Sequence, residues 1–297
     1  MKILICICTY KRNQSLISCL KSFKKVIIPS NFNISFLIVD NTLNFGSFKI
    51  IKNFKQKFKF KIIQVNEKKR GIVNARNRCL KESKKINSDY IAFFDDDCEI
   101  DKFWFNNFKK LLKKTNSEIL TGPQIYRNIN NLGYLFEKKI KRNNSLVTWA
   151  ASNNVIIKKK IISNKKIYFD NNLNKFGMGE DQLFFSKLHR LGHDIIWSKN
   201  IKVYEKMHSH RSNSKWVKDR SFRLGVLGSY IDKELYGTIN GFLLNYIKCI
   251  YYLFFSIFSL LNLIQKNYFY KFLNLFFRSI GRMFGPIVFE KIQFYKK

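Results

Sequence analysis

Three consecutive aspartates, Asp95, Asp96 and Asp97, stand directly behind the apolar run at 90–94, in a chain whose formal net charge is +35. Adjacent carboxylates repel one another, and a divalent cation is the simplest way to hold them together. Hard Mg2+ or Mn2+ prefers oxygen ligands and commonly bridges carboxylates to phosphates. Strand alternation carried through this run predicts Asp95 and Asp97 pointing the same way; the plain alternative is a solvated acidic loop. A second acidic pair, Glu180 and Asp181, follows Gly-Met-Gly and opens an amphipathic pattern with Leu183, Phe184, Leu188 and Leu191. Carboxylates suit a helix N-terminus through the macrodipole. The same position in a tight glycine-rich turn suits a general base.

The elements that must position these acids are legible as apolar runs. Residues 2–9, 34–40, 60–65 and 89–94 are short and apolar, the first two ending on polar residues, and predict buried parallel strands. Between and after them, 13–26, 71–85 and 101–114 carry apolar residues at helical spacing, and a basic, Phe-bearing stretch after Asp40 fits a further helix. Strands alternating with helices predict an α/β fold with a mostly parallel sheet covered on both faces. In such sheets ligands gather at the carboxyl ends of strands. Thr9 to Arg12, Asp40 with Asn41, and the three aspartates therefore converge on one edge. Further on, 151–160 and 194–197 carry strand-like cores.

Composition narrows the class. Hydrophobic residues make up 46% and aromatics 16%, which disordered chains lack. The 55 Lys plus Arg would ordinarily suggest nucleic acid, but they are spread along the whole chain. Most Phe fall in apolar strands or the C-terminal tail, so no nucleic-acid partner is expected. The six cysteines show no zinc-type spacing and read as reduced thiols of a cytoplasmic protein. The N-terminal apolar run is too short for a secretory segment.

The ordered set "CICTYKR", "LIVDNT", "RGIVNARNRCL", "YIAFFDDDCEI", "SNNVIIKKK", "GMGEDQLFFSKLHRLGHDI" and "VYEKMHSHRSNSKW" resembles the bacterial family 2 glycosyltransferases over residues 1–225. The resemblance implies a GT-A fold, Rossmann-like, with a nucleotide-sugar half at 1–120 and an acceptor and catalytic-base half at 121–225. It implies a nucleotide-diphosphate sugar donor, Mg2+ or Mn2+, and inversion at the anomeric carbon. Thr9, Tyr10 and Arg12 would line the nucleotide pocket and Asp40 would contact the base. Many relatives have a second acid where this chain has Asn41, as in a subgroup with "VDN". Gly71 and Arg76 would approach the nucleotide. Asp97 would bind the metal, Asp95 the metal or the donor ribose, with Asp96 between them at the donor site. Asn153 and Asn154 would face sugar and acceptor. Asp181 would be the catalytic base and Glu180 its acceptor-side neighbour. Where the family often has His after "VYE" this chain has Lys206, with His208 and His210 slightly later.

Residues 226–297 read as a helical extension. Residues 241–265 carry only Lys248 as a charge, and 266–284 mix Lys and Arg with Phe, Tyr and Leu as an interfacial helix would. This composition predicts a membrane-associating tail at the inner-membrane surface, peripheral or monotopic, with a true span and a plain buried tail as alternatives. Such a location points to a saccharide or lipid-linked acceptor of cell-surface polysaccharide or lipopolysaccharide synthesis. Two rival readings remain at this stage. A nucleotidyltransferase would share the paired aspartates but leave "GED" unexplained and lacks a GxxxxGK[ST] loop. A basic nucleic-acid-binding protein would show salt-sensitive binding to single strands.

Overall fold

The apolar runs near the N-terminus form parallel strands buried on both faces. The computed structural model describes residues 1–56, 58–127, 142–163, 167–206, 213–261 and 266–292. Strand β1 (Lys2–Thr9) lies between β2 (Asn33–Asp40) and β4 (Tyr90–Asp95), with β3 (Lys61–Asn66) outside β2, all four parallel. Ile3, Leu4, Ile5, Cys6 and Ile7 are fully buried, as a strand covered on both faces must be. The covering helices include α1 (Asn13–Phe23), α2 (Phe48–Lys55), α3 (Ile72–Ser83) and α4 (Trp104–Thr115).

The sheet continues through strands that run both ways. β9 (Asn154–Lys158) is antiparallel to β4 and to β6 (Ile119–Thr121), β10 (Ile195–Trp197) is parallel to β6, and β8 (Ser145–Val147) is antiparallel to β10. The order is β3-β2-β1-β4-β9-β6-β10-β8, so only β8 and β9 oppose the other six. A second pairing sets β5 (Cys98–Ile100) antiparallel to β11 (Val203–Lys206), and the short β7 (Gln124–Arg127) follows β6. α5 (Lys159–Ile162) and α6 (Glu180–Arg190) complete this part. One face is an aromatic core: Phe23 meets Phe36 edge-on at 4.9 Å between ring centres, and Phe94 meets Trp104 at 5.4 Å. Such pairs add about 0.5–1.5 kcal/mol beyond their area.

The chain divides into two compact units, one of Met1–Ile125 with Ile140–Lys206 and one chiefly of Met207–Lys296. The expected domain limit at residue 225 falls inside α7 (Ser214–Tyr236), a single 23-residue helix. Within the second unit α7 packs with α8 (Thr238–Leu260) and α9 (Lys266–Val288). Asn213 caps α7 by accepting from the Trp216 backbone N–H at 2.7 Å. A Cβ on Gly225 would stand 2.3 Å from the Arg278 carbonyl oxygen, and one on Gly281 would stand 2.2 Å from that of Phe222. Only glycine lets the backbones of α7 and α9 approach this closely. Gly237, at φ 81°, turns the chain from α7 into α8.

Candidate active site

Register alone brings the strand ends together. Thr9 pairs with Asp40 across β1 and β2, and Cys8 pairs with Asp95 across β1 and β4. β4 stops at Asp95, and residues 96–97 form a turn into β5. The alternation expected to align Asp95 with Asp97 therefore does not reach Asp97. Instead Thr9 Oγ1 donates to Asp96 Oδ2 at 2.8 Å, and Arg12 Nη1 donates to Asp96 Oδ1 at 3.1 Å and to Asp97 Oδ2 at 2.8 Å. Asp96 is buried, and burial, opposed by Arg12 and Thr9, pushes its carboxyl up to about 6. Asp96 thus anchors the turn, while Asp95 and Asp97 flank it.

The next layer is set by α3. Gly71 sits at φ 127°, and a Cβ there would lie 1.9 Å from the Asn174 Oδ1 atom. That carboxamide accepts from Val73 N at 3.3 Å, at the start of α3, and donates to Arg70 O at 3.0 Å. One turn on, Asn77 bonds both backbone groups of Phe169, accepting from its N–H at 2.8 Å and donating to its carbonyl at 2.9 Å. Between these fixed points Arg76 faces inward, 6% exposed. It donates a hydrogen bond to Glu180 and another to Asp95 at 3.3 Å. The two acidic groups thus meet through one guanidinium.

Gly177 at φ 63° and Gly179 at φ 85° make the turn that opens α6. Glu180 is buried there, and burial, opposed by Arg76 and reinforced by Asp181, raises its carboxyl to about 7. Its second oxygen, Oε2, has no hydrogen-bond partner among the described residues. Asp181 is more open: it accepts from Ser152 N at 3.4 Å and from Gln182 N at 2.7 Å. Burial also raises the Asp95 carboxyl, against Arg76 and with Asp97 and Asp181 adding to the shift. These acids form one electrostatic cluster.

Other expected site residues make contacts within the protein. Asp40 is buried and accepts from Thr42 N at 2.8 Å, Thr42 Oγ1 at 2.6 Å and Ser47 N at 2.6 Å. Both its oxygens thus hold the loop after β2. Asn41 donates to Glu67 O at 2.7 Å and Lys69 O at 2.8 Å, and accepts from Gly71 N at 2.7 Å. Asn154, expected to face sugar and acceptor, is clamped in the core by Trp104 Nε1 at 2.9 Å and by the Ile201 and Pro123 carbonyls. Asn153 bonds Gln124. The Tyr10 ring lies under Arg70 at 5.0 Å and Lys11 at 5.5 Å, a basic, aromatic surface at the end of β1. Lys206 closes β11, whereas His208 and His210 lie outside the described residues.

Donor atoms of Asp97, Cys98 and Glu205 lie within 4.8 Å of one another. The two carboxylates match a hard divalent ion; the Cys98 thiol, pushed up by burial, stays neutral and fits such an ion poorly. Asp97 with Glu205 is thus the donor set that suits Mg2+ or Mn2+. Sequence reasoning missed Glu205, although "VYE" ends on it; the signal was its register opposite Cys98, visible once β5 and β11 pair. Asn77 and Asn174 were missed because each is an ordinary asparagine until its backbone partner is known.

The mostly parallel sheet, with acids at its strand ends tied through an arginine to an acid-bearing helix, has the GT-A fold, which solved structures share. TarS 1-349 of S. aureus has a TM-score of 0.58 at 19% identity, covering 81% of this chain and 71% of that chain. The mannosyltransferase PcManGT of Pyrobaculum calidifontis has a TM-score of 0.63 at 12% identity, covering 96% and 87%. The model of Glycosyl transferase family 2 matches residues 4–176, more than half of the chain, and this protein belongs to that family. The succinoglycan biosynthesis protein ExoM of Rhizobium meliloti (strain 1021) is 25% identical over 226 residues, 74% of this chain and 71% of that protein.

Proposed function

We propose that this glycosyltransferase moves a sugar from a nucleotide-diphosphate sugar to a hydroxyl of a saccharide or lipid-linked acceptor, with inversion and with a divalent metal. The observation that carries this reading is Arg76, bonded to both Asp95 and Glu180. It joins the strand-end turn to the helix bearing Asp181, so donor and acceptor chemistry share one site.

Asp181 accepts the proton of the acceptor hydroxyl as that oxygen attacks the anomeric carbon, and the bond to the diphosphate breaks on the opposite side. Its carboxylate is aimed by the backbone N–H groups of Ser152 and Gln182. Asp97 and Glu205, with Asp95 beside them, would hold Mg2+ or Mn2+, which supplies positive charge to the departing diphosphate. Arg12, partly exposed and bonded to Asp96 and Asp97, adds a fixed cation at the same edge. Tyr10 and Arg70 offer a stacking surface for a base.

Structural neighbours support the donor class: TarS was solved with UDP-GlcNAc and PcManGT with GDP-Man and Mn2+. The name of ExoM places that relative in polysaccharide synthesis. We place the present reaction at the cytoplasmic membrane surface, where such acceptors are built. The test is donor turnover across a panel of UDP- and GDP-sugars with Mn2+. Asp97→Ala and Asp181→Asn should each lower transfer by about a hundredfold or more; wild-type transfer in either variant would sink the assignment.

A further inference from the structure

Helix α8 of the second unit is packed inside out. On α8, Ile239, Leu243, Ile247, Ile250, Phe254 and Phe258 form one helical stripe and are all more than half exposed. The opposite stripe, Gly241, Asn245, Cys249, Ser256 and Ser259, is buried. A helix on a water-facing surface shows the reverse pattern.

The charges follow the same inversion. Lys248, the one charged residue of α8, turns inward and donates to Asp232 Oδ1 at 2.7 Å. Arg282 of α9, 5% exposed, donates to Asp232 Oδ2 at 2.7 Å and to Asn245 Oδ1 at 3.0 Å. Asn245 donates in turn to the Arg282 carbonyl at 2.9 Å. Arg278 and Arg282 both lie over the Tyr252 ring, at 5.0 and 5.7 Å. Asp232, Lys248 and Asn245 are thus bonded within the bundle, whereas Arg278 Nε and Arg282 Nε are buried without a hydrogen-bond partner among the described residues; glycines let the backbones touch, as small residues do where lipid surrounds helices.

We propose that the second unit is embedded in an anionic lipid bilayer, with the outward stripe of α8 against the acyl chains and the Asp232–Lys248–Arg282–Asn245 cluster as the internal latch that holds α8 to α7 and α9. Length fits: 23 residues at about 1.5 Å each give about 34 Å, against a hydrocarbon layer of about 30 Å. Charge fits as well, because a chain of net charge +35 is drawn to anionic headgroups. A second copy of the chain is the competing occupant of the stripe. The proposal rests on the membrane-surface location given above and states how it is achieved.

Vesicle flotation of the full chain, with phosphatidylglycerol–phosphatidylcholine vesicles, tests it. Wild-type protein should float and stay bound in high salt. The triple variant Ile250→Lys, Phe254→Lys, Phe258→Lys, which leaves the interior untouched, should lose vesicle binding by about tenfold or more. Release of wild type by high salt would overturn embedding in favour of surface adsorption. A wild-type dimer that ignores vesicles and becomes monomeric in the triple variant would also overturn it. Should that variant not fold, Phe254→Trp with brominated lipids decides: quenching of the added fluorescence is expected, and its absence refutes the proposal. Sugar transfer to a soluble acceptor, measured on the same samples, reports separately on the enzymatic reading.

Discussion

Phe93 and Phe254 are the same residue under opposite rules. Phe93 is 2% exposed, inside a sheet whose charges collect at strand ends; Phe254 is 55% exposed, on a helix whose charge points inward. The first unit obeys water as solvent, with apolar residues inside and an acid cluster at its ligand edge. In the second, α8 reverses this, with an apolar stripe outward and its small and polar stripe buried. The lesson is that 46% hydrophobic residues describes neither unit. Which side of each helix is apolar carries the information that the average loses.

The comparison is broken most directly through the chemistry. Asp181→Asn should lower sugar transfer by about 10²- to 10⁴-fold, while Ile247→Ser on the outward stripe leaves transfer to a soluble acceptor unchanged. Equal losses in steady-state assays would erase the division between the units. Next come the two phenylalanines: Phe93→Ala should cost about 3–5 kcal/mol of stability, and Phe254→Ala less than about 0.5 kcal/mol, read as denaturant midpoints in mild detergent. A large cost at Phe254 would mean that the stripe is covered by protein.

Buried ion pairs sharpen the contrast further. Arg76→Met leaves Glu180 and Asp95 without their shared cation and should cost up to about 3–5 kcal/mol. Arg282→Met should cost less, because Asp232 keeps Lys248. Thermal melting of both variants beside wild type checks the order. The smallest effect is a slope. Glu180 in the folded state is raised from 4.5 to about 7, so the folded chain holds that proton more tightly than the unfolded one. Its contribution to stability is full below about 4.5 and is lost as pH rises through about 7. Glu180→Gln should flatten the fall in melting temperature across that window, and an unchanged slope would remove Glu180 as its source.

Much of the first unit was legible because both-face burial writes itself as continuous apolar runs. β1, β2, β3 and β4 fall within a residue of where 2–9, 34–40, 60–65 and 89–94 placed them. β5, β8 and β11 are three or four residues long and carry no such signature. The first half of α7 escaped notice because Lys215, Lys218, Asp219, Arg220 and Arg223 crowd it and small residues such as Ser221 and Gly225 are among those it buries, which apolar periodicity does not register. The site was legible as a set of residue types and less so as a set of contacts. Asp95, Arg76, Glu180 and Asp181 share one cluster with Asp97 beside it, whereas the side chains of Asp40 and Asn154 bond neighbouring groups of the protein. No sequence pattern separates a carboxamide facing a ligand from one facing a carbonyl.

Asn41 works as a fastener that its nearest isostere cannot replace. Its amide nitrogen faces two carbonyl oxygens, those of Glu67 and Lys69, at 2.7 and 2.8 Å. An aspartate here would set an oxygen against both, with no proton to share at neutral pH. That single change would therefore unfasten the loop that leads into Gly71 and α3, whose backbone N–H at Gly71 also bonds the Asn41 side chain.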